Sequence, residues 1–436
     1  MTSRRSVLAG LGSAGVAALA GCAGLRSSND DEPAGTDVDL RPDAVESVEW
    51  PASPFPVAVP SSLAAAHEAR ARELLDAVPA DPGDPDDSED PPIPNAAVAR
   101  ELRNERERAA ERLESGSDRP WATGRLAEWR GIRSAAATVR GTHRAATGED
   151  DAAAVRERGR AVREDLGSFV ADHEYRARSP REAVLAHAPV EDLVAACRRR
   201  VRPRPEYPAD PLARPFRAGE AVGRVERARA SLDDATGLLE AYRVERAETA
   251  SQWASLIGSA RRLRAAVGRE RSTVGEFLAR DDPPVDDDLR GTAAGRLFTE
   301  ASYRAESLAE DVEEHVDDGA PATAVVEAGR ALVALEALGT AVEGIRDGAY
   351  RDAVTAESVD RMDDRARESL AGVAESDDPR LAARIARPAL ETHASAARRV
   401  EESYADPARV QGDLVLVDLY ARAVPVATRF VLDRIE

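Results

Sequence analysis

The chain contains no lysine, because all of its 60 basic residues are arginine. This excludes chemistries that depend on a lysine side chain, among them the Walker A phosphate loop, the pyridoxal Schiff base, the lysine aldolases and the SxxK acylases. CxxC, HExxH and GxSxG patterns are also missing, so thiol redox, zinc-protease and α/β-hydrolase sites have no local signature. These absences disfavour a familiar enzyme, although a site assembled from distant residues would leave no local pattern.

Basic residues are also outnumbered, since 80 acidic against 60 basic residues give a net charge of −20. Such carboxylates hold water, and salt at about 1 M screens their mutual repulsion beyond about 3 Å, so this composition is typical of an extreme halophile. An acidic surface also argues against a nucleic-acid partner, because the phosphates of a nucleic acid require a basic stripe. It equally argues against binding to anionic lipid headgroups by charge.

The first 21 residues follow the order of an export signal. Arg4 and Arg5 precede an apolar run rich in Gly and Ala, from Val7 to Ala20, which is too short to span a bilayer comfortably. The segment resembles a twin-arginine signal, with Val7 in place of the more usual Phe. The stretch Leu19–Cys22 resembles a lipobox, which implies that the mature chain starts at a lipidated Cys22. The alternatives are an ordinary signal peptide or an uncleaved anchor helix with a chance cysteine.

The signal, the lipobox and the acidic composition together resemble haloarchaeal Tat-exported lipoproteins. This resemblance implies a protein held on the outer face of the cell membrane by lipid on Cys22, and it does not extend to the fold of the body. Cys22 and Cys197 are the only cysteines, so lipidation of the first leaves no intramolecular disulfide. Cys197 shares a helical face with Leu193 and Val201, and we expect it to be a small buried residue.

Helical periodicity covers most of the chain after residue 60. Apolar residues recur at steps of three and four, with capping residues and prolines at helix starts. The pattern predicts helices at about 62–78, 95–114, 120–146, 151–176, 180–201, 287–317, 321–347, 356–375, 379–404 and 407–434. We therefore predict an all-α fold of one or more bundles of long antiparallel helices, which could divide into two helical subdomains.

Several details of these helices can be predicted. Residues 218–280 fit either one coiled-coil-like helix or two antiparallel helices turning near Glu248, and typical helix lengths favour two. Pro189 should break the helix at 180–201, and two further helices should kink at internal prolines. The last helix should be the most deeply buried, because Leu414–Val417 is apolar on more than one face; an edge strand is the alternative there.

The domain organisation follows from proline-rich stretches. We predict a twin-arginine signal at 1–21, a lipidated cysteine and disordered Pro/Asp/Ser tether at 22–60, an N-terminal helical domain at 61–201, a Pro-rich linker at 202–217 and a C-terminal bundle at 218–436. The end of the tether is apolar enough to lie against the body, as Trp50, Phe55 and Val57 indicate.

One cluster could bind a metal ion. On a helix Asp311, Glu314, His315 and Asp318 share a face, which places carboxylates and an imidazole near one another. We predict either a weak divalent-cation site or, as the simpler alternative, a solvated acidic face. No other cofactor is predicted apart from lipid on Cys22.

The other histidines show no metal-binding or catalytic spacing. The cluster Asp172–Glu174 surrounds His173 with acids, but adjacent residues on a helix point in different directions, so it is a poor catalytic pair. His143 and His393 lie among Ala and Thr, where surface or hydrogen-bonded core histidines are expected.

Three functions remain open at this stage. The first is a noncatalytic scaffold or interaction module that binds other envelope proteins. The second is a ligand-binding or cation-binding lipoprotein associated with transport. The third is a hydrolase whose site is assembled from distant residues.

Overall fold

Long α-helices account for most of the structure, a computed structural model that describes residues 38, 40–82, 93, 95–202, 207–278, 289, 291–402 and 406–435. The predicted export signal and lipobox, with Arg4, Arg5 and Cys22, lie outside the described residues. No helix among the described residues is both long enough and apolar enough to cross a membrane. The all-α prediction is confirmed.

The elements alternate between long helices and short connections. In the first half they are α1 Ser61–Asp76, α2 Ala96–Ser115, α3 Ala122–Ala146, α4 Ala152–Asp172, β1 Arg176–Ala177, α5 Pro180–Arg200 and α6 Pro215–Glu245. In the second half they are β2 Ala250–Ser251, α7 Trp253–Thr273, α8 Gly275–Leu278, α9 Ala293–Asp317, α10 Pro321–Arg346, α11 Ala356–Gly372, α12 Pro379–Glu401 and α13 Pro407–Ile435. Residues 218–280 thus contain two long helices, as predicted.

Three of the predicted helix starts have a side-chain cap, whereas α1 begins at Ser61 without one. The Asn95 side chain accepts hydrogen bonds from the first free amides of α2, and Ser179 does the same for α5. Asp378 accepts from two amides of α12. These local side-chain bonds satisfy amides that lack a partner within the helix, which is why the sequence predicts them well.

α3 and α6 pack closely because their facing residues are small. A Cβ on Gly219 would lie 2.5 Å from the backbone oxygen of Thr138, and a Cβ on Gly223 would lie 2.9 Å from the backbone oxygen of Ser134. The Ser134 hydroxyl also donates to the Gly223 carbonyl at 3.0 Å. Glycine is required at these positions, because any side chain would force the two backbones apart.

The main core lies between helices of both halves. α10 packs against α7, α9 and α13, and α13 also packs against α11 and α12. Every residue of α13 from Val410 to Ala421 is buried. The prediction that this helix is the most deeply buried is nevertheless wrong, because 18 of the 26 residues of α10 are buried against 17 of the 29 residues of α13. Leu414–Val417 is helical, so the strand alternative is wrong.

The prediction for Pro189 needs correction. Pro189 does not break α5, which runs without interruption from Pro180 to Arg200. All residues from Ala183 to Glu191 are buried there, and burial offsets the backbone hydrogen bond that proline removes. The end of the tether, within residues 40–60, lies against the body, as its apolar residues predict. Ala44, Val45 and Phe55 are buried in the main core.

Candidate ligand-binding cleft

A cleft of about 500 Å³ opens where the two halves of the body meet. One side comes from the end of α4, from β1 and from α5. The other side comes from β2, from the start of α7 and from the turn between α9 and α10. β1 and β2 pair antiparallel, with Ala177 opposite Ala250, and α5 packs against α10, α7 and α13. The cleft therefore depends on contacts between segments distant in sequence.

Aromatic rings form one wall of the cleft. His173 stacks on Tyr175 with ring centroids 4.6 Å apart, and Tyr175 contacts Trp253 at 4.9 Å. Trp253 is 44% exposed although it is large and apolar. Val170, Val194 and Ala195 add aliphatic surface. Such a wall suits a flat apolar group better than a fully hydrated one.

Two histidines form a hydrogen-bonded pair behind this wall. His173 Nε2 lies 3.0 Å from His187 Nδ1, and His187 Nε2 lies 3.2 Å from the Arg176 carbonyl oxygen. The carbonyl can only accept, so His187 carries its proton on Nε2 and its Nδ1 accepts from His173. Burial, reinforced by neighbouring positive charge, lowers the pKa of His187 to about 4 and that of His173 to about 3. Both rings are therefore neutral at neutral pH.

Glu191 of α5 connects the cleft to the other half of the molecule. Its Oε1 accepts from the Tyr175 hydroxyl at 2.8 Å and from the Ala322 amide at 3.2 Å. Its Oε2 accepts from the Thr323 amide at 2.6 Å. These amides belong to the first turn of α10, so a side chain of α5 caps a helix of the other half. Burial raises the pKa of Glu191 to about 7, although these hydrogen bonds oppose the shift.

The polar groups of the cleft are hydrogen-bonded to one another or to the backbone. Neither histidine of the pair is hydrogen-bonded to a serine or cysteine side chain in the described residues. Burial and the Glu191 carboxylate raise the pKa of Tyr175, so its hydroxyl stays protonated and acts as a donor to Glu191. Charged side chains also line the cleft, namely Glu174, Arg176, Arg198 and Asp318 in addition to the buried Glu191. The residues thus offer an aromatic and aliphatic wall together with polar and charged groups.

The four predicted metal ligands are not brought together. His315 and Asp318 line the cleft, whereas Glu314 is exposed to solvent. Asp311 is half-buried, and its pKa is raised by burial and by Glu327 of α10. The described residues contain no group of three or more His, Cys, Asp or Glu side chains that could hold a metal ion. The physical reason is distance along the helix axis, since seven residues rise by about 10 Å, which is too far for one ion.

His173 was misjudged because α4 was predicted to extend to Arg176. The helix ends at Asp172, and His173 follows with an extended backbone, with φ −75° and ψ 107°. Its ring consequently points toward His187 rather than along a helix face. No sequence signal indicated the partners Tyr175, Glu191 and Trp253, because their proximity arises only from packing.

The other histidine and cysteine predictions are confirmed. His393 is fully buried and lies 2.8 Å from Asp363 Oδ1, and His143 is also buried. Cys197 is a buried free thiol whose pKa is raised to about 11, chiefly by burial. It packs in a small core cluster of α4, α5 and α6.

Comparison with known proteins divides the chain into two parts, which correspond to the two sides of the cleft. Residues 62–249 match a family model described as a domain of unknown function, DUF8262. Residues 253–433 match a second one, DUF8264. Among curated proteins nothing matches the chain, and the same is true of solved structures. The two matched regions agree with two helical subdomains. The boundary between the matched regions lies after α6, whereas the sequence predicts a linker at 202–217.

Proposed function

We propose that this protein is a membrane-anchored lipoprotein that binds a small organic molecule in the cleft between its two helical regions. The observation that carries the proposal is the half-open aromatic wall, in which Trp253 and Val170 remain exposed at 44% and 42%. Large apolar side chains left in contact with water within a cleft are typical of ligand sites. The apolar lining favours a ligand with a flat apolar part and polar groups at its edge.

The anchoring part of the proposal rests on the sequence. Arg4 and Arg5 before an apolar run, followed by Leu19–Cys22, support twin-arginine export and lipidation of Cys22. The ligand-binding body would then lie at the outer face of the membrane. Ligand binding at that location fits a role in transport. Mass spectrometry of the mature protein tests this part, because lipidation predicts a chain that starts at a modified Cys22. Retention of Met1 would contradict it.

The binding part can be tested with the purified body and a metabolite library. A ligand present at 100 times its dissociation constant stabilises the folded state by about 2.7 kcal/mol, which shifts thermal unfolding by several degrees. We expect such a shift for at least one compound with a flat apolar part. Trp253→Ala should abolish it, whereas Val244→Ala, which removes an apolar side chain that is 85% exposed on α6, should leave it unchanged.

Tryptophan fluorescence gives a second readout for the same compounds. Of the four tryptophans, Trp253 alone lines this cleft among those the structure describes. Ligand-induced quenching should disappear in Trp253→Phe and persist in Trp129→Phe. If the library produces no shift and envelope proteins co-purify with the chain, the scaffold function expected from the sequence replaces ligand binding.

A further inference from the structure

A second cavity, away from the cleft, is lined by more basic than acidic side chains, which is unusual for this acidic protein. It has a volume of about 300 Å³ and is lined by Arg112, Arg119, Arg227 and Arg387 but by only two carboxylates, Glu128 and Glu391. The chain as a whole carries 20 more acidic than basic residues. A local excess of positive charge is therefore the opposite of what the composition predicts.

Two of these arginines have no counterion among the residues that the structure describes. Arg119 lies 3.8 Å from Glu128, and Arg387 donates to Glu391 at 2.8 Å, so both carboxylates are already engaged. The guanidinium groups of Arg112 and Arg227 form no ion pair and no hydrogen bond within the described part of the chain. By contrast, the buried Arg133 pairs with Glu226 at 2.8 Å.

The two unpaired guanidinium groups converge on one place. Gly131 of α3 lies beneath them, and a Cβ on Gly131 would be 2.8 Å from Arg227 Nη1 and 3.8 Å from Arg112 Nη2. Arg112 comes from α2 and Arg227 from α6, so three helices bring the groups together. Two guanidinium groups whose nitrogens approach the same small space can both donate hydrogen bonds to an oxyanion held there.

The electrostatics of Arg227 agree with this geometry. Burial, together with the nearby guanidinium groups of Arg200, Arg130 and Arg112, lowers the pKa of Arg227 to about 10. The residue remains charged at neutral pH, but its positive charge is half-buried and repelled by its neighbours. Such an arrangement is unfavourable for folding alone, and an anion would relieve it.

The remaining wall of the cavity is rigid and aromatic. Trp50 contacts Trp121 edge to face, with ring centroids 4.9 Å apart. The Trp121 Nε1 donates to the Pro51 carbonyl at 2.7 Å, which holds the indole in place. These rings form the aromatic side of the cavity.

We propose that this cavity binds a small oxyanion, such as a phosphate or carboxylate group, between Arg112 and Arg227. The site is separate from the cleft that carries the proposed function, so either can fail without the other. An oxyanion can accept bidentate hydrogen bonds from both forks, whereas chloride cannot. Inorganic phosphate is therefore the appropriate first probe, with potassium chloride at equal ionic strength as the reference.

The test measures phosphate binding by calorimetry and by thermal unfolding at constant ionic strength. We expect phosphate to raise the unfolding temperature of the wild-type protein above that in potassium chloride. Arg112→Gln and Arg227→Gln should each weaken phosphate binding by about tenfold or more, because each removes charge-assisted hydrogen bonds. Arg224→Gln is the matched control, since Arg224 is an exposed arginine of α6 one turn away.

Arg112 is exposed, so its replacement leaves the fold intact and keeps the test valid even if Arg227→Gln unfolds. The proposal is overturned if phosphate has no effect beyond that of potassium chloride. It is equally overturned if Arg112→Gln binds phosphate as tightly as the wild type.

Discussion

At the scale of single residues, the hydrogen-bonded pair of His173 and His187 makes the clearest prediction. Their pKa values are lowered by burial to about 3 and about 4, compared with about 6.5 in an unfolded chain. Below pH 6.5 these histidines bind protons in the unfolded state but not in the folded state. The free energy of unfolding therefore decreases as the pH falls. We expect both rings to stay neutral in histidine NMR spectra down to about pH 5.

The stability effect of this pair can be isolated by mutation. The contribution of His187 is fully present above pH 6.5 and decreases by about 3 kcal/mol as the pH falls to about 4. His187→Gln should flatten the pH dependence of the free energy of unfolding over this range. His315→Gln serves as the control, because His315 lines the cleft outside the pair. An unchanged pH dependence in His187→Gln would show that another group is responsible.

At the scale of elements, the close approach of α3 and α6 should be sensitive to a single methyl group. A Cβ on Gly219 meets the Thr138 carbonyl oxygen at 2.5 Å, so Gly219→Ala should destabilise the fold by about 1–3 kcal/mol in denaturant unfolding. The intrinsic helix propensity of alanine opposes this loss by roughly 1 kcal/mol.

Gly167 of α4 provides the control for that experiment. A Cβ at this position meets nothing within 4 Å, so Gly167→Ala should stabilise the protein by about 0.5–1 kcal/mol through propensity alone. Opposite signs for the two substitutions would confirm the packing argument. Equal effects would show that α3 and α6 can separate without cost.

The cap that α5 provides for α10 is a second property of the elements. Glu191→Ala leaves the Ala322 and Thr323 amides and the Tyr175 hydroxyl without their acceptor, which should cost about 2–3 kcal/mol. Hydrogen exchange at both amides should accelerate. Glu174→Ala removes an exposed carboxylate nearby and should change stability by less than about 0.5 kcal/mol. Unaltered exchange in Glu191→Ala would contradict the capping role.

At the scale of the whole molecule, the net charge of −20 should make stability depend on salt. Raising the salt concentration from about 0.1 M to about 2 M shortens the screening length from about 10 Å to under 3 Å, which weakens repulsion among the excess carboxylates. We expect the unfolding temperature to rise by several degrees in potassium chloride at neutral pH. Near pH 5, the isoelectric point, the rise should largely disappear. A protein most stable at low salt would disagree with this prediction.

The sequence by itself determined the helices and most of their ends. Periodicity and capping act within a few residues, so Asn95, Ser179 and Asp378 predict helix starts that the structure confirms. Local rules failed where packing opposed them. Burial keeps α5 helical through Pro189, and α4 ends early, which frees His173 to meet His187.

Only the tertiary structure decided where ligands could bind. Tyr175 contacts Trp253 and donates to Glu191, and Arg112 and Arg227 from different helices both approach Gly131. No spacing in the sequence predicts these contacts, because they depend on how the helices pack against one another. The residues of the predicted acidic cluster share one face of a helix, but their side chains do not come together around one point. The reason is that residues on one helix face are spread along the helix axis. Local interactions act within a few residues and are visible in the sequence, whereas the cleft and the arginine pair exist only after the helices have packed.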